Sequence, residues 1–534
     1  MILFAIYTAV ALLSIIFFSL REVHMLQLNG YKTPEHTRWM KKNSKRYILP
    51  AALFILQFTL IITNVSIPMI ISFTVFNLCI ALANKPGKKF KKPLVYTARV
   101  KRMLVTFFIL IAVILGLAVL TGFEVNTSDN GGSDTTWFKI PVSYILFGSA
   151  LYLTPILVVL SNLINKPIEK AIQNWYINDA KKMLKAAPNL HVIGITGSYG
   201  KTSMKFYLSE LLSSQYNTLK TPESYNTPMG VVKTIRMQLK PTHEYFVCEM
   251  GARRVGEIKE LCGIANPHDG IITSVGPQHL ETFKSIENVV KTKFELADSI
   301  SALGKIYLNG DNELIRKKSA DYPNAVTYGT GEDNDYRATE ISVSDKGTQF
   351  TVTTPNGSSC RYTMKLLGEH NVQNVLGAIA YCHGTGIALE KLVLPVRRIA
   401  AVPHRLQLLD SGGDLCFIDD AYNSNPNGCR AALNVLSLFD CCKILVTPGM
   451  VELGSKQEEL NYEFGTEAAK VCDFIVLVGK AQTEPIYKGI ISTKYPQEKV
   501  FVAESLNEAL SKVRAYQSDK KKIVLLENDL PDNY

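Results

Sequence analysis

The sequence predicts an α/β protein carried behind an all-α membrane region of about five transmembrane helices. Three observations predict it. Apolar residues make up 47% of the 534 residues, but long apolar runs are confined to residues 1–165. From there on, β-type apolar runs, amphipathic stretches and loop signals alternate, the pattern of strands and helices that share a sheet. Residues 191–203 read HVIGITGSYGKTS, an apolar run ending in a glycine-bracketed loop with a lysine and hydroxyls. The length suits three or four domains.

Five segments have the apolar character of spans: about 1–20, 47–63, 67–83, 103–121 and 142–164. A hydrocarbon core of roughly 30 Å needs about 20 apolar residues in a helix. The second and third segments are near the lower limit and suggest a hairpin turning at Asn64 to Pro68. The net charge of +11 gathers in two clusters, Arg21 to Arg46 and Lys85 to Arg102, both between apolar segments. Charge in that setting reads first as a topology signal and second as a patch for anionic membrane lipids, which argues against nucleic acid as a partner. One topology satisfies it, with both basic loops cytoplasmic, the loop at 124–137 and the N-terminus outside, and residue 165 onward inside, at a multi-pass cell membrane. A signal peptide is the alternative for the first segment, but a basic leader and a small-residue cleavage site are missing. Residues 166–190 read as an amphipathic linker helix, either on the membrane surface or free of it. Ten scattered cysteines without a CxxC pair indicate neither a zinc site nor a disulfide framework.

The loop after the 191–196 run is a phosphate cradle. Gly197 and Gly200 let successive N–H groups face one point, Lys201 reaches β- and γ-phosphates, and the Thr202 hydroxyl suits Mg²⁺. With Ser198 and Ser203 these residues form the expected nucleotide-binding set. The spacing GxxGKT is shorter than the usual GxxxxGK[ST], but strand and helix flank it as a phosphate loop requires. Downstream, EYFVCEMGA (244–252) places Glu249 at a strand end, and IITSVGPQHLETF (271–283) places His279 in the following loop. Ligands in open α/β sheets bind beyond the carboxyl ends of the strands. A carboxylate there can take Mg²⁺ opposite a loop hydroxyl, and an imidazole can serve a second metal. Taken singly, Glu249 also reads as a surface residue and His279 as a loop histidine.

From 191 to about 480 the ordered motifs GSYGKTS, SYNTPMG, CEMGA, PQHLETF, KTKFELAD, LNGDNE, LLGEHNVQNVLGA, VPHRLQ, DDAYNSNPNG and PGMVELG resemble the Mur ligase family. The resemblance is strongest to the branch that adds D-alanyl-D-alanine to a UDP-N-acetylmuramoyl tripeptide in peptidoglycan precursor synthesis. It implies a phosphate-loop central domain at 191–400, with a β-rich insertion near 310–365, and a Rossmann-like C-terminal domain at 401–534. The activity it implies is ATP-dependent amide ligation, through an acyl phosphate on a substrate carboxylate. By matching position, Thr202 and Glu249 share one Mg²⁺, and His279 and a carbamylated Lys293 help to hold a second. Lys293 is preferred to Lys291 because the family's modified lysine precedes a helical stretch equivalent to FELAD. Asn371 is similar to the adenine-contacting residue, Asp420 to the ribose-binding acid, and Arg405 to the arginine that reaches the phosphates from the third domain. As catalytic residues the resemblance implies Lys201, His279, Lys293 and Arg405. A snorkelling Lys293 and a hinge salt bridge at Arg405 are the plain alternatives, and Tyr422 and Asn425 either line the same closure seam or are purely structural.

Two departures bear on substrate. Members of that branch begin with a small domain for the uridine nucleotide, where this chain has its apolar segments, so the acceptor is either held another way or lipid-linked. The chain also finishes on the acidic IVLLENDLPDNY, where the resemblance implies a basic or glycine-rich finish that meets the amine. A nucleotide-binding membrane scaffold without ligase activity is the reading from a different class.

Overall fold

The computed structural model describes residues 2–48, 51, 55, 67–84, 92–120, 124–125, 140–223, 225–344, 347–410, 414–421, 425–451 and 453–529. Two compact units divide the chain, one reaching Asn174 and one beginning at Trp175.

The first unit is helical: α1 (Ile2–Leu28), α2 (Thr33–Lys42), α3 (Ile67–Asn84), α4 (Ala98–Leu120) and the start of α5 (Val142–Lys185), with a two-stranded pair β1 (Glu124–Val125) and β2 (Ile140–Pro141). Ile15 and Leu26 of α1, Ile80 of α3, Phe107 of α4 and Val158 of α5 share its apolar core. Among the described residues one stretch, Ala9–Leu28 with mean hydropathy 1.7, is long and apolar enough to cross a membrane. The expected count of about five spans is therefore not reached. The second expected span and the Asn64 turn fall almost wholly outside the described residues, and α3 contributes only the shorter apolar stretch Thr74–Asn84. A second correction concerns α5, which runs unbroken through Pro155 and Pro167, so the expected last span and linker helix are one helix. A proline inside a helix removes one i→i−4 bond and crowds the carbonyl a turn back, but leaves the other bonds in place. Packing on either side, by Leu157 and Val158 and then by Ala180, sustains the helix past both prolines.

The second unit holds two sheets. The first is built from β3 (His191–Thr196), β4 (Thr218–Lys220), β5 (Tyr245–Glu249), β6 (Asp269–Ile272), β7 (Ile306–Asn309), β8 (Ala325–Gly329), β9 (Tyr336–Ser344), β10 (Gly347–Thr353) and β11 (Ser359–Met364). Their order is β11-β10-β9-β8-β7-β6-β3-β5-β4, parallel from β4 through β9 and antiparallel beyond. Seven helices accompany it: α6 (Lys201–Leu212), α7 (Pro228–Gln238), α8 (Glu257–Ala265), α9 (Leu280–Phe283), α10 (Ile286–Phe294), α11 (Glu313–Ser319) and, after the last strand, α12 (Glu369–Gly384), with α13 (Leu389–Arg398) leading out. Alternation along the strands sorts the core into two layers. Ile193, Ile195 and Val247 face α6 and α12, whereas Val192, Phe246 and Cys248 face α7, α8 and α10. The β-rich stretch begins later than expected because Asn312 caps a helix there, its side chain accepting from the Ile315 N–H at 3.1 Å. Its strands prolong the main sheet.

The second sheet comprises β12 (Gln407–Asp410), β13 (Leu415–Asp420), β14 (Cys442–Thr447), β15 (Phe474–Val478), β16 (Val500–Ala503) and β17 (Lys522–Glu527), in the order β12-β13-β17-β14-β15-β16 and parallel except for β12. Helices α14 (Pro426–Ser437), α15 (Gln457–Val471), α16 (Lys480–Ser492) and α17 (Leu506–Ala515) alternate with these strands. Insertion of the last strand between β13 and β14 puts the ends of β13 and β17 side by side.

Asp269 ties the first sheet together. Its carboxylate lies 2.7 Å from His191 Nε2 and accepts from the Lys305 N–H at 2.7 Å and the Tyr381 hydroxyl at 3.0 Å. Burial alone would raise its pKa, but these hydrogen bonds and the His191 ring hold it below the ordinary carboxylate value. Such a group contributes stability that is complete above about pH 4 and is lost as the pH falls through the lower folded pKa. Asp269→Asn is expected to lower unfolding stability in urea by about 2 kcal/mol at pH 7. The gap to the wild type should narrow below about pH 4; a gap independent of pH would contradict this.

Candidate active site

The turn from β3 into α6 is shaped by its glycines. Gly200 sits at φ +80°, and a Cβ there would meet Asn374 Oδ1 at 2.7 Å. Only glycine fits such a left-handed position without strain. The loop is braced by residues 273–277: the Ser198 N–H donates to Ser274 O at 2.6 Å, Ser198 Oγ to Gly276 O at 3.1 Å, and Thr273 Oγ1 to Tyr199 O at 2.5 Å. Lys201 opens α6 and folds back over its own loop, its Nζ donating to Gly197 O at 2.7 Å and Ser198 O at 3.0 Å. Burial, opposed by Glu249 and aided by the charge of Arg405, pushes its pKa down to about 8.

Glu249 ends β5 and is 1% exposed. Its Oε1 accepts from Thr202 Oγ1 and from Asn226 Nδ2, both at 3.1 Å. Its Oε2 lies 2.9 Å from Lys205 Nζ, an ion pair without hydrogen-bond alignment. Lys205, also buried, donates to Glu223 O as well. The 3.1 Å separation of Thr202 Oγ1 and Glu249 Oε1 matches the edge of an oxygen octahedron with bonds of about 2.1 Å, so the two fit one Mg²⁺.

Lys293 is 2% exposed in the last turn of α10, whereas Lys291 faces outward. Ser285 caps the start of α10 and accepts from the Asn288 N–H at 3.3 Å, so the α-helix leads into Lys293, and the FELAD stretch after it continues into a 3₁₀ turn at Ala297–Ser299. Burial first and then the charge of Lys201 drive the Lys293 pKa far down, against Glu257 and Glu295. Burial thus disfavours the charged form of this amine, whose Nζ lies 5.8 Å from the centre of the Phe283 ring. His279 begins the short α9 that carries Phe283, at φ +53°.

A cavity of about 310 Å³ opens next to the loop. Gly200, Ser203, Asn371, Arg405, Asp420 and Asn425 all line it. Asn371 is already engaged, accepting from the Tyr207 hydroxyl at 2.8 Å and donating to Leu367 O at 2.9 Å. His370, another lining residue, is pushed down to about 4 by burial and is neutral. Arg405 sits between His404 at φ +60° and Leu406 at φ +44°, a turn that non-glycine residues rarely adopt. Two adjacent aspartates hold this turn: Asp419 Oδ2 lies 2.7 Å from His404 Nδ1, and Asp420 Oδ1 accepts from the Leu406 N–H at 3.1 Å. Burial raises the Asp420 pKa, and Arg405 opposes it. Asn425 caps α14, accepting from the Gly428 N–H at 2.9 Å. Tyr422 lies outside the described residues.

Most of the expected residues, His279 aside, fall into two adjoining sets. Lys201, Thr202, Glu249 and Lys293 gather behind the loop, and the cavity residues lie in front of it, with Gly200 and Ser203 between. Four contributors escaped the sequence reading: Lys205, Asn226, Asn374 and Glu527. Lys205 stands three residues after Thr202, a spacing that puts both on one helical face. That signal was available for Lys205; the sheet order that delivers Glu527 was not.

Residues 195–382 match the Mur ligase middle domain and residues 404–527 the Mur ligase glutamate ligase domain. The UDP-N-acetylmuramoyl-tripeptide--D-alanyl-D-alanine ligase of Bacillus subtilis is 34% identical over 276 residues, 51% of this chain and 59% of that protein. The enzyme of the same name from Buchnera aphidicola is 30% identical over 340 residues, 63% of this chain and 72% of that one. The chain thus spans less than two thirds of the first relative and more than two thirds of the second. A crystal structure of MurF from Acinetobacter baumannii superposes with a TM-score of 0.61 at 27% identity, covering 68% of this chain and 78% of the other.

Lys205→Met leaves the Glu249 carboxylate buried without its ammonium and should cost about 3–5 kcal/mol in denaturant unfolding. Adding Glu249→Gln should recover much of that loss. A single variant as stable as the wild type would show that the pair does not hold the site together.

Proposed function

Since the chain belongs to the Mur ligase family, we propose that it is an ATP-dependent amide ligase of peptidoglycan precursor synthesis, joining D-alanyl-D-alanine to a UDP-N-acetylmuramoyl tripeptide. The observation that carries this reading is the meeting of a phosphate loop from one sheet with Arg405 and Asp420 from the other around a single cavity. The reaction takes two steps. The acceptor carboxylate attacks the γ-phosphorus of ATP, giving an acyl phosphate and ADP; the amine then attacks the acyl carbon, giving the amide and releasing phosphate.

In this reading the loop amides and Lys201 hold the β- and γ-phosphates, and Arg405 meets the charge that develops on the transferring phosphoryl group. Asn371 and Asp420 seat the adenosine. Thr202 and Glu249 would hold one Mg²⁺, and His279 with a carbamylated Lys293 would hold a second. Such ions would supply charge neutralisation for an anionic carboxylate beside a polyphosphate. Burial disfavours the charged form of the Lys293 amine, which suits capture of CO₂, and the carbamate would offer oxygen ligands where an ammonium would repel a metal.

The N-terminal helices anchor the ligase half at the inner face of the cell membrane. Outward apolar stripes support this: Val105, Phe108, Ile109 and Val113 on α4, and Ile156, Leu160 and Leu163 on α5, are exposed at helical spacing. The same stripes favour a second reading in which the acceptor is lipid-linked. Offering soluble uridine-linked and lipid-linked precursors with ATP and D-alanyl-D-alanine decides between them by which one is extended. Phosphate release that needs neither acceptor nor amine would refute the ligase reading.

Lys293→Ala should lower ligation roughly a hundredfold or more. Short-chain carboxylic acids should restore part of it and bicarbonate none. Wild-type rates in that variant would refute the carbamate.

A further inference from the structure

The acidic finish of the chain has a place in the cavity. Asp420 and Glu527 are directly paired in register at the carboxyl ends of the adjacent parallel strands β13 and β17. Both line the cavity that opens beside the phosphate loop. Glu527 is 1% exposed, and its Oε1 accepts from the Cys429 thiol at 3.2 Å. The register sets the two carboxyl-bearing residues side by side, and burial raises the Asp420 pKa there.

Resting on the nucleotide reading above, we propose that Glu527 acts with Asp420 to grip the vicinal diol of the nucleotide ribose, and that Glu527 is the residue by which the site selects ribonucleotides over deoxyribonucleotides. Two buried carboxyls side by side disfavour each other's charge. Their oxygens offer acceptors to two hydroxyl donors. Arg405 already faces Asp420 as a counter-charge. A second cation, such as the ammonium of the incoming amine, is therefore less suited to this spot than a neutral diol. A buried group built to meet a hydroxyl penalises the analogue that lacks it, because its acceptor is left dry and unmatched.

The test is calorimetric titration of the full-length protein with ADP, 2′-deoxy-ADP and 3′-deoxy-ADP, without acceptor or amine. The wild type should bind at least one deoxy analogue roughly tenfold to a hundredfold more weakly than ADP. Glu527→Ala should weaken ADP to the level of that analogue and leave the analogue unchanged. Glu527→Gln, which keeps the packing and one acceptor, should show the same effect to a smaller degree. Discrimination that survives in both variants overturns the proposal. So does a rise in the KM of the amine with ribose discrimination intact. Ribose discrimination through Glu527 in a protein that forms no amide would support the proposal while counting against the ligase reading; failure of the wild type to bind any adenine nucleotide overturns both.

Discussion

A buried carboxylate must be met by donors or it unfolds the region around it, and Glu249 is that constraint here. Thr202 and Lys205 reach it from α6, Asn226 from the loop before α7, and Thr221 Oγ1 accepts from the Glu249 N–H at 3.1 Å. These contacts lock the rotation of α6 relative to β5 and hold Thr221 and Asn226 at the strand end. The phosphate loop inherits its position from that lock. Lys201 and Lys205 then outnumber the one carboxylate, so the loop carries a positive field suited to a polyphosphate.

The second sheet contributes through a different constraint. The turn at His404 to Leu406 costs of the order of 1–3 kcal/mol for each residue in the left-handed region. Asp419 and Asp420 offset it, each meeting one side of the turn. Two consecutive acids at the end of one strand thereby hold Arg405 at the cavity, within reach of the charge on Lys201. A cation delivered by one sheet to a loop on the other stabilises phosphoryl transfer only when the two are together.

The sequence was legible where a local pattern carries the structure. The run into GSYGKTS read as strand, loop and helix because its apolar period changes at the glycines, and β3, the turn and α6 follow that change. The alternation after residue 190 likewise announced the sheets. Legibility failed where distant contacts decide. Lys205 lies on an amphipathic helix, where a lysine normally marks the solvated face, and only the position of Glu249 buries it. Pro167 argues locally for a break, yet packing on both sides carries α5 through it. Glu527 reads as an acidic tail until β17 is seen beside β13. Lys293 sits at the end of an α-helix, and the helical stretch after it is only a 3₁₀ turn at Ala297–Ser299.

The central claim is that one nucleotide is held jointly by both sheets. Hydrogen exchange followed by mass spectrometry, with and without ADP and Mg²⁺, tests it directly. The account predicts that ADP slows exchange together in residues 197–203 and in residues 404–420 and 525–529, with the same concentration dependence. Protection confined to 197–203, with the second sheet unchanged at saturating ADP, would contradict it.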